Sequence, residues 1–82
     1  MRVPVVVEVS LRDGIADPEG ATIERALPAL GFTGVDGVRA GRCFRFTVEA
    51  DDEADALARA DALAHRLLAN PVIERAQARV GP

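Results

Sequence analysis

The stretch Arg2-Val3-Pro4-Val5-Val6-Val7-Glu8-Val9-Ser10-Leu11 sets the class of fold. Val3, Val5, Val7, Val9 and Leu11 alternate with Arg2, Glu8 and Ser10. A period of two marks a strand with one buried face. Pro4 lies near the start, where its missing N–H is tolerated. Val6 puts an apolar residue on the outward face, either as a stray or as part of an interface.

Working outward, Asp13-Gly14-Ile15-Ala16 reads as a turn and Asp17-Pro18 as a helix start. Asp17 caps free amides there, and proline suits the first helical position. Ile23, Ala26, Leu27 and Leu30 follow at i, i+3, i+4 and i+7, which predicts one buried stripe. Pro28 weakens the last turn, and Gly31 ends the helix. Val35 to Ala50 reads as a hairpin. Its second strand is clear, with Phe44, Phe46 and Val48 alternating with Cys43, Arg45, Thr47 and Glu49. Its first strand, near Val35 to Ala40, is less regular. Asp36-Gly37 is either a bulge or the turn, and a tip at Gly41-Arg42 is preferred because it leaves two strands of workable length.

Asp51, Asp52, Glu53 and Asp55 crowd the start of a second helix, and His65 and Arg66 lie near its end, both matching the helix dipole. Ala56, Leu57, Ala60, Leu63, Ala64, Leu67 and Leu68 form its apolar face, and Asn70-Pro71 stops it. Ala76, Ala78 and Val80 then alternate with Arg75, Gln77 and Arg79 in a last strand. The order β-α-β-β-α-β predicts an α+β, ferredoxin-like domain. It has one four-stranded antiparallel sheet, both helices on one face and right-handed crossovers. The other face, with Val6, Cys43, Arg45 and Thr47, is left open as a docking surface.

With 82 residues the chain is expected to be a single domain, 1–82. Net charge is −3, and all 10 basic residues are arginine. An acidic chain lacks the electrostatic footprint of a nucleic-acid binder. No run approaches the roughly 20 apolar residues of a membrane span. Met1 to Val9 has no cleavage site of a signal peptide. One cysteine, Cys43, excludes an internal disulfide, and the cytoplasm is the expected compartment.

Catalytic chemistry is thinly provided. Ser10 and His65 fall on opposite sides of the expected sheet, which argues against a nucleophile–base pair. Cys43, between Arg42 and Arg45, reads as a reactive thiol or, preferably, as an ordinary strand residue. No catalytic, cofactor-binding or metal-ligating residue is assigned. One His and one Cys make no metal cluster. The acidic run from Asp51 lacks the glycine and closing glutamate of a calcium loop. No glycine-rich phosphate loop is present.

Three stretches carry a family resemblance: Val9-Ser10-Leu11-Arg12-Asp13-Gly14-Ile15-Ala16-Asp17-Pro18-Glu19-Gly20, Val38-Arg39-Ala40-Gly41-Arg42, and Leu67-Leu68-Ala69-Asn70-Pro71-Val72-Ile73-Glu74. Together they resemble the PurS family, small subunits of phosphoribosylformylglycinamidine (FGAM) synthase, over essentially the whole chain. Two departures stand out: Glu19 where the family usually has glutamine, and Arg42 where it usually has lysine.

The resemblance implies a non-catalytic subunit of a purine-biosynthesis ligase. It would bridge a glutaminase (PurQ type) and a large synthetase (PurL type) and assist ammonia transfer between them. ATP and magnesium are expected on the large subunit and not here. It also implies pairing into a homodimer or homotetramer, with no nucleic acid and no membrane. The residues assigned to partner docking are Arg39, Gly41, Arg42, Asn70 and Pro71. Gly41 reads equally as a turn glycine and Asn70 as a helix stop, while the arginines fit the enrichment of that residue in interfaces. Two other readings on the same fold are a dimeric regulatory module that binds a small ligand and a small phosphatase. Neither has its expected glycine-rich or phosphate-binding loop.

Overall fold

The computed structural model describes every residue from Met1 to Pro82. β1 (Arg2–Leu11) forms where the alternation places it. It becomes the central strand of a three-stranded antiparallel sheet, flanked by β2 (Gly41–Glu49) and β3 (Glu74–Val80). Val5 pairs with Phe46 on one side and with Val80 on the other. Val3, Val5, Val7 and Val9 point to one face and are almost completely buried.

α2 (Glu53–Leu63) covers that face. Its contact residues are Ala56, Ala60 and Ala64, all fully buried. Such small side chains let the helix lie close against the valines. The helix lies mainly over β3 and β1 and least over β2. Its last turn widens into a π-helical turn, Ala64–Leu68, closed by Ala69 N–H to the Ala64 carbonyl at 2.9 Å. That widening leaves Leu67 exposed while Leu68 packs against the core.

Two sequence expectations fail. The sheet has three strands, not four, because Val35 to Ala40 forms no strand and there is no hairpin with a tip at Gly41-Arg42. The backbone donors of that segment are taken elsewhere. Val38 N–H donates to Glu24 Oε1 at 2.8 Å, and Ala40 N–H donates to Asp17 Oδ2 at 2.8 Å. Gly41 is the first residue of β2 and pairs with Ser10.

The helices also do not share one face of the sheet. α1 (Pro18–Ala26) and the 3₁₀ turn Pro28–Leu30 pack against none of the strands to a comparable extent. Their apolar stripe has the expected spacing but faces solvent: Ile23 is 45% and Leu30 69% exposed. Pro28 ends the α-helix early, as its missing donor requires, and Gly31 closes the turn in the left-handed region. Because β1 and β2 are antiparallel neighbours, the chain leaves and re-enters the sheet at the same end. The excursion from Arg12 to Ala40 is therefore an arm and not a crossover.

The arm makes the molecule long. Its radius of gyration is 15.9 Å, against about 12 Å for a compact chain of this length. Only 10 of 82 residues are buried, so the core rests on the valine–alanine layer. Enlarging Ala60 to leucine would wedge α2 off β1. Ala60→Leu is expected to cost ~1–3 kcal/mol, as overpacking does, read as a lower midpoint in thermal or urea unfolding.

Candidate functional site

The end of the sheet where the arm departs collects all five residues assigned to docking. Arg12 follows β1 there, the return loop delivers Arg39, β2 delivers Gly41 and Arg42, and the α2–β3 loop delivers Asn70 and Pro71. Arg42 Nη2 donates to Glu74 Oε2 at 2.9 Å, to Glu74 Oε1 at 3.0 Å and to the Leu68 carbonyl at 3.1 Å. Its guanidinium also lies 5.5 Å from the Phe44 ring centroid, within cation–π range.

Glu74 Oε1 in turn accepts the Asn70 N–H at 2.8 Å. Asn70 Oδ1 accepts the Val72 N–H at 3.0 Å, and its carbonyl accepts the Glu74 N–H at 2.7 Å. Arg12 Nε donates to the Pro71 carbonyl at 3.1 Å. Arg39 Nη2 donates to the Leu11 carbonyl at 3.1 Å. Asn70 is thus a folded turn as well as a helix stop. Gly41 is required by close approach, since a Cβ there would lie 2.6 Å from the Val9 carbonyl oxygen.

A second cluster fastens the base of the arm. Asp17 accepts the Gly20 N–H through Oδ1 at 3.0 Å and the Ala40 N–H through Oδ2. One carboxylate so joins the start of α1 to the entry of β2. Gly20 fits because it lacks a side chain: a Cβ would stand 2.4 Å from Asp17 Oδ2 and 2.6 Å from the Val38 carbonyl oxygen. Sequence reasoning identified Asp17 as a helix cap but missed its bond to Ala40, and it gave no role to Glu24 or Glu74. The signal was present in the Asp-Pro-x-Gly spelling, where a glycine inside a first helical turn asks for a close neighbour.

Both carboxylates titrate low. The Gly20 and Ala40 amides, aided by the Arg39 charge, hold Asp17 below its ordinary value. The Asn70 amide and the Arg42 guanidinium do the same for Glu74. The Asp51 amide and Arg59 lower Asp55 at the start of α2.

Ser10, Cys43 and His65 do not converge. Ser10 and Cys43 lie on the face turned away from α2, beside a shallow groove of about 520 Å³ that Glu8, Arg39, Arg75 and Gln77 also line. His65 lies on α2 with Nδ1 2.9 Å from the Asp61 carbonyl oxygen. On this geometry the end of the sheet is a braced, arginine-bearing platform.

Comparison with known proteins identifies the family. The family model "PurS: Phosphoribosylformylglycinamidine (FGAM) synthase" matches residues 4–81. The chain belongs to the PurS family. A PurS subunit of FGAM synthase from Mycobacterium leprae is 49% identical over 69 residues, 84% of this chain and 84% of that one. The crystal structure of the Thermotoga maritima PurS subunit superposes with a TM-score of 0.90 at 30% identity, covering 99% of this chain and 93% of that one. A chain of the Thermotoga maritima PurLQS structure matches with a TM-score of 0.89 at 30% identity, covering 99% of both chains. Members of the family are subunits of FGAM synthase, a ligase of purine biosynthesis, and this chain is one of them.

Arginine at position 42, where the resemblance leads to an expectation of lysine, now has a physical reading. All three of its hydrogen bonds leave from a single nitrogen, Nη2. A lysine ammonium is such a point donor. Arg42→Lys is therefore expected to leave the unfolding midpoint nearly unchanged, while Arg42→Met lowers it in urea titrations.

The depressed carboxylates also fix the pH response. A carboxylate whose folded pKa is lowered contributes stability that is fully present above its unfolded value, and that contribution is lost as pH falls through the folded one. Stability should hold from neutrality to about pH 5 and fall below about pH 4, where free carboxylates titrate. The drop in urea midpoint between pH 7 and pH 3 should be smaller in Asp17→Asn and in Glu74→Gln.

Proposed function

We propose that this subunit is a non-catalytic adaptor that joins a glutaminase to a large synthetase, as the resemblance of the chain to a component of PurLQS supports. FGAM synthase converts formylglycinamide ribonucleotide to the amidine with ATP and with nitrogen from glutamine. Ammonia released to bulk water is protonated and diluted, so transfer between two active sites needs an enclosed path. A small rigid platform that holds the two enzymes together meets that need without a nucleophile, base or metal of its own. ATP and magnesium act on the large synthetase in this reading.

The braced end of the sheet is the proposed docking face, with Arg39 and Arg42 as its charged contacts and Asn70-Pro71 as its rim. Gly41 serves it by bringing β2 tight against β1. Support comes from the way Glu74 orders this end: Arg42 and the Asn70 loop are held before any partner arrives, which lowers the entropic cost of binding. The whole of 1–82 acts as a single domain of this type. No helix is long and apolar enough to cross a membrane, and a cytoplasmic location fits a purine-pathway ligase. The subunit works as a homodimer or homotetramer, which the excess of exposed apolar surface on the arm supports.

Reconstitution tests this. A synthetase and a glutaminase mixed without the chain should make little amidine from glutamine, while synthesis from added ammonium proceeds. Adding the chain should raise the glutamine-dependent rate alone. Equal glutamine-dependent rates with and without it would remove the adaptor role. Arg39→Glu combined with Arg42→Glu should weaken co-purification with the partner subunits.

A further inference from the structure

The sheet separates a basic side from an acidic one, although the chain as a whole carries −3. From Asp51 to the end of α2, Asp51, Asp52, Glu53, Asp55 and Asp61 stand against Arg59 alone. On the face turned away from α2 the balance reverses: Arg2, Arg45, Arg75 and Arg79 stand against Glu8 and Glu49. Arg79 pairs with Glu8, and Arg2 lies 3.9 Å from Glu49. Arg75 reaches off the face to Asp13, at the base of the arm, at 3.0 Å. Arg45 is left with no carboxylate of its own chain.

This face offers a partner no bare apolar patch. Val6 is the one branched aliphatic residue on it, and it is completely buried. Its cross-strand neighbours are Arg45 and Arg79. Arginine stems cover an apolar residue in this way while their heads stay in water. Val6 is thus a footing for two guanidinium groups and not an anchor for a partner. Toward the arm the face deepens into the shallow groove, where Ser10 and Gln77 lie beside Arg39 and Arg75. They add uncharged donors to the charged ones. Phe44 and Phe46 pack on the opposite, α2 side, so no ring is placed here for a nucleic-acid base to stack on. Three strands about 4.8 Å apart, rising about 3.4 Å per residue, make a face of only roughly 14 by 24 Å. That is well below the ~800 Å² each partner gives to a standard interface, so charge rather than apolar burial must select what binds.

We infer that this face receives an acidic surface of one of the two enzymes the adaptor joins, with Arg45, Arg75 and Arg79 pairing with its carboxylates. Guanidinium forks suit carboxylates, and opposite fields speed docking and reject basic partners. A second copy of this chain is a poorer occupant. Its acidic α2 side would have to meet the basic face head to tail, and such a contact grows into open chains. The inference rests on the adaptor reading and adds a surface apart from Asn70-Pro71, together with the chemistry of what it binds.

Binding of the full chain to the purified glutaminase and to the purified synthetase, each alone, tests it. Arg45→Glu combined with Arg79→Glu should weaken binding to at least one of them by about tenfold or more. Arg45→Gln, which keeps a stem over Val6, should give a smaller loss in the same direction and guards against poor folding of the double variant. Arg59→Glu, on the α2 side, should change binding less than about twofold. Raising sodium chloride from about 0.05 M to about 0.5 M should slow association of the parent chain and leave the double variant nearly unaffected. A photo-crosslinker at Thr47, an exposed neighbour on the same face, should join the chain to a segment of that enzyme rich in Asp and Glu.

Unchanged affinity of the folded double variant for both enzymes would overturn the inference. So would cross-links from position 47 that run only to other copies of this chain, or a double variant whose oligomer mass falls while its partner binding holds. The two readings also separate. Salt-sensitive binding through Arg45 with no gain in the glutamine-dependent rate would keep this surface and remove the adaptor role. A full gain in that rate from the double variant would keep the adaptor role and remove this surface.

Discussion

The Asp17 carboxylate is the interaction on which the rest of the structure depends. Its two oxygens hold the Gly20 and Ala40 amides, so the first turn of α1 and the last residue before β2 are tied at one point. The tie sits at the end of the sheet where the chain leaves β1 and enters β2. β1 and β2 pair antiparallel, and α1 is carried outside. A ferredoxin-like arrangement would need α1 to run back along the sheet and feed a strand parallel to β1. Gly20 takes part because any side chain there would strike the Val38 carbonyl.

The same end of the sheet bears the second network, centred on Glu74. It is held by Arg42 and by the Asn70 amide, and it links β2, the end of α2 and the turn into β3. The π-helical turn of α2 helps by presenting the Leu68 carbonyl to Arg42. These groups are solvent-exposed, where an ion pair alone contributes little. Their main effect is geometric: three segments far apart in sequence are fixed in one orientation. The network thus gives this end of the sheet rigidity more than it adds overall stability.

Stability is correspondingly modest in origin. The fully buried core is a layer of valines against alanines, with Phe44, Phe46 and Leu68 packed against it only partly buried. Small domains of this kind commonly gain what they lack through association, and an exposed helical stripe is the visible sign here. The long shape and the thin core go together, because the arm keeps its apolar stripe off the sheet.

Much of this was legible in the residues. The valine alternation placed β1, Asp17-Pro18 placed the start of α1, and Phe44-Arg45-Phe46-Thr47-Val48 placed β2. Those features are local, set by side-chain periodicity and by capping chemistry, and they survive any tertiary context. The stretches around Asp-Pro-x-Gly and Asn-Pro were enough to indicate the family. The absence of a fourth strand was not legible, because it depends on where the Val38 and Ala40 amides find acceptors. Those acceptors, Glu24 and Asp17, lie 14 and 23 residues away in sequence. The stripe on α1 likewise has the period of a buried face, but periodicity says only that a face is apolar. Whether its own sheet covers it is a matter of topology, and here the arm, tied at its base by Asp17, carries it away from the sheet.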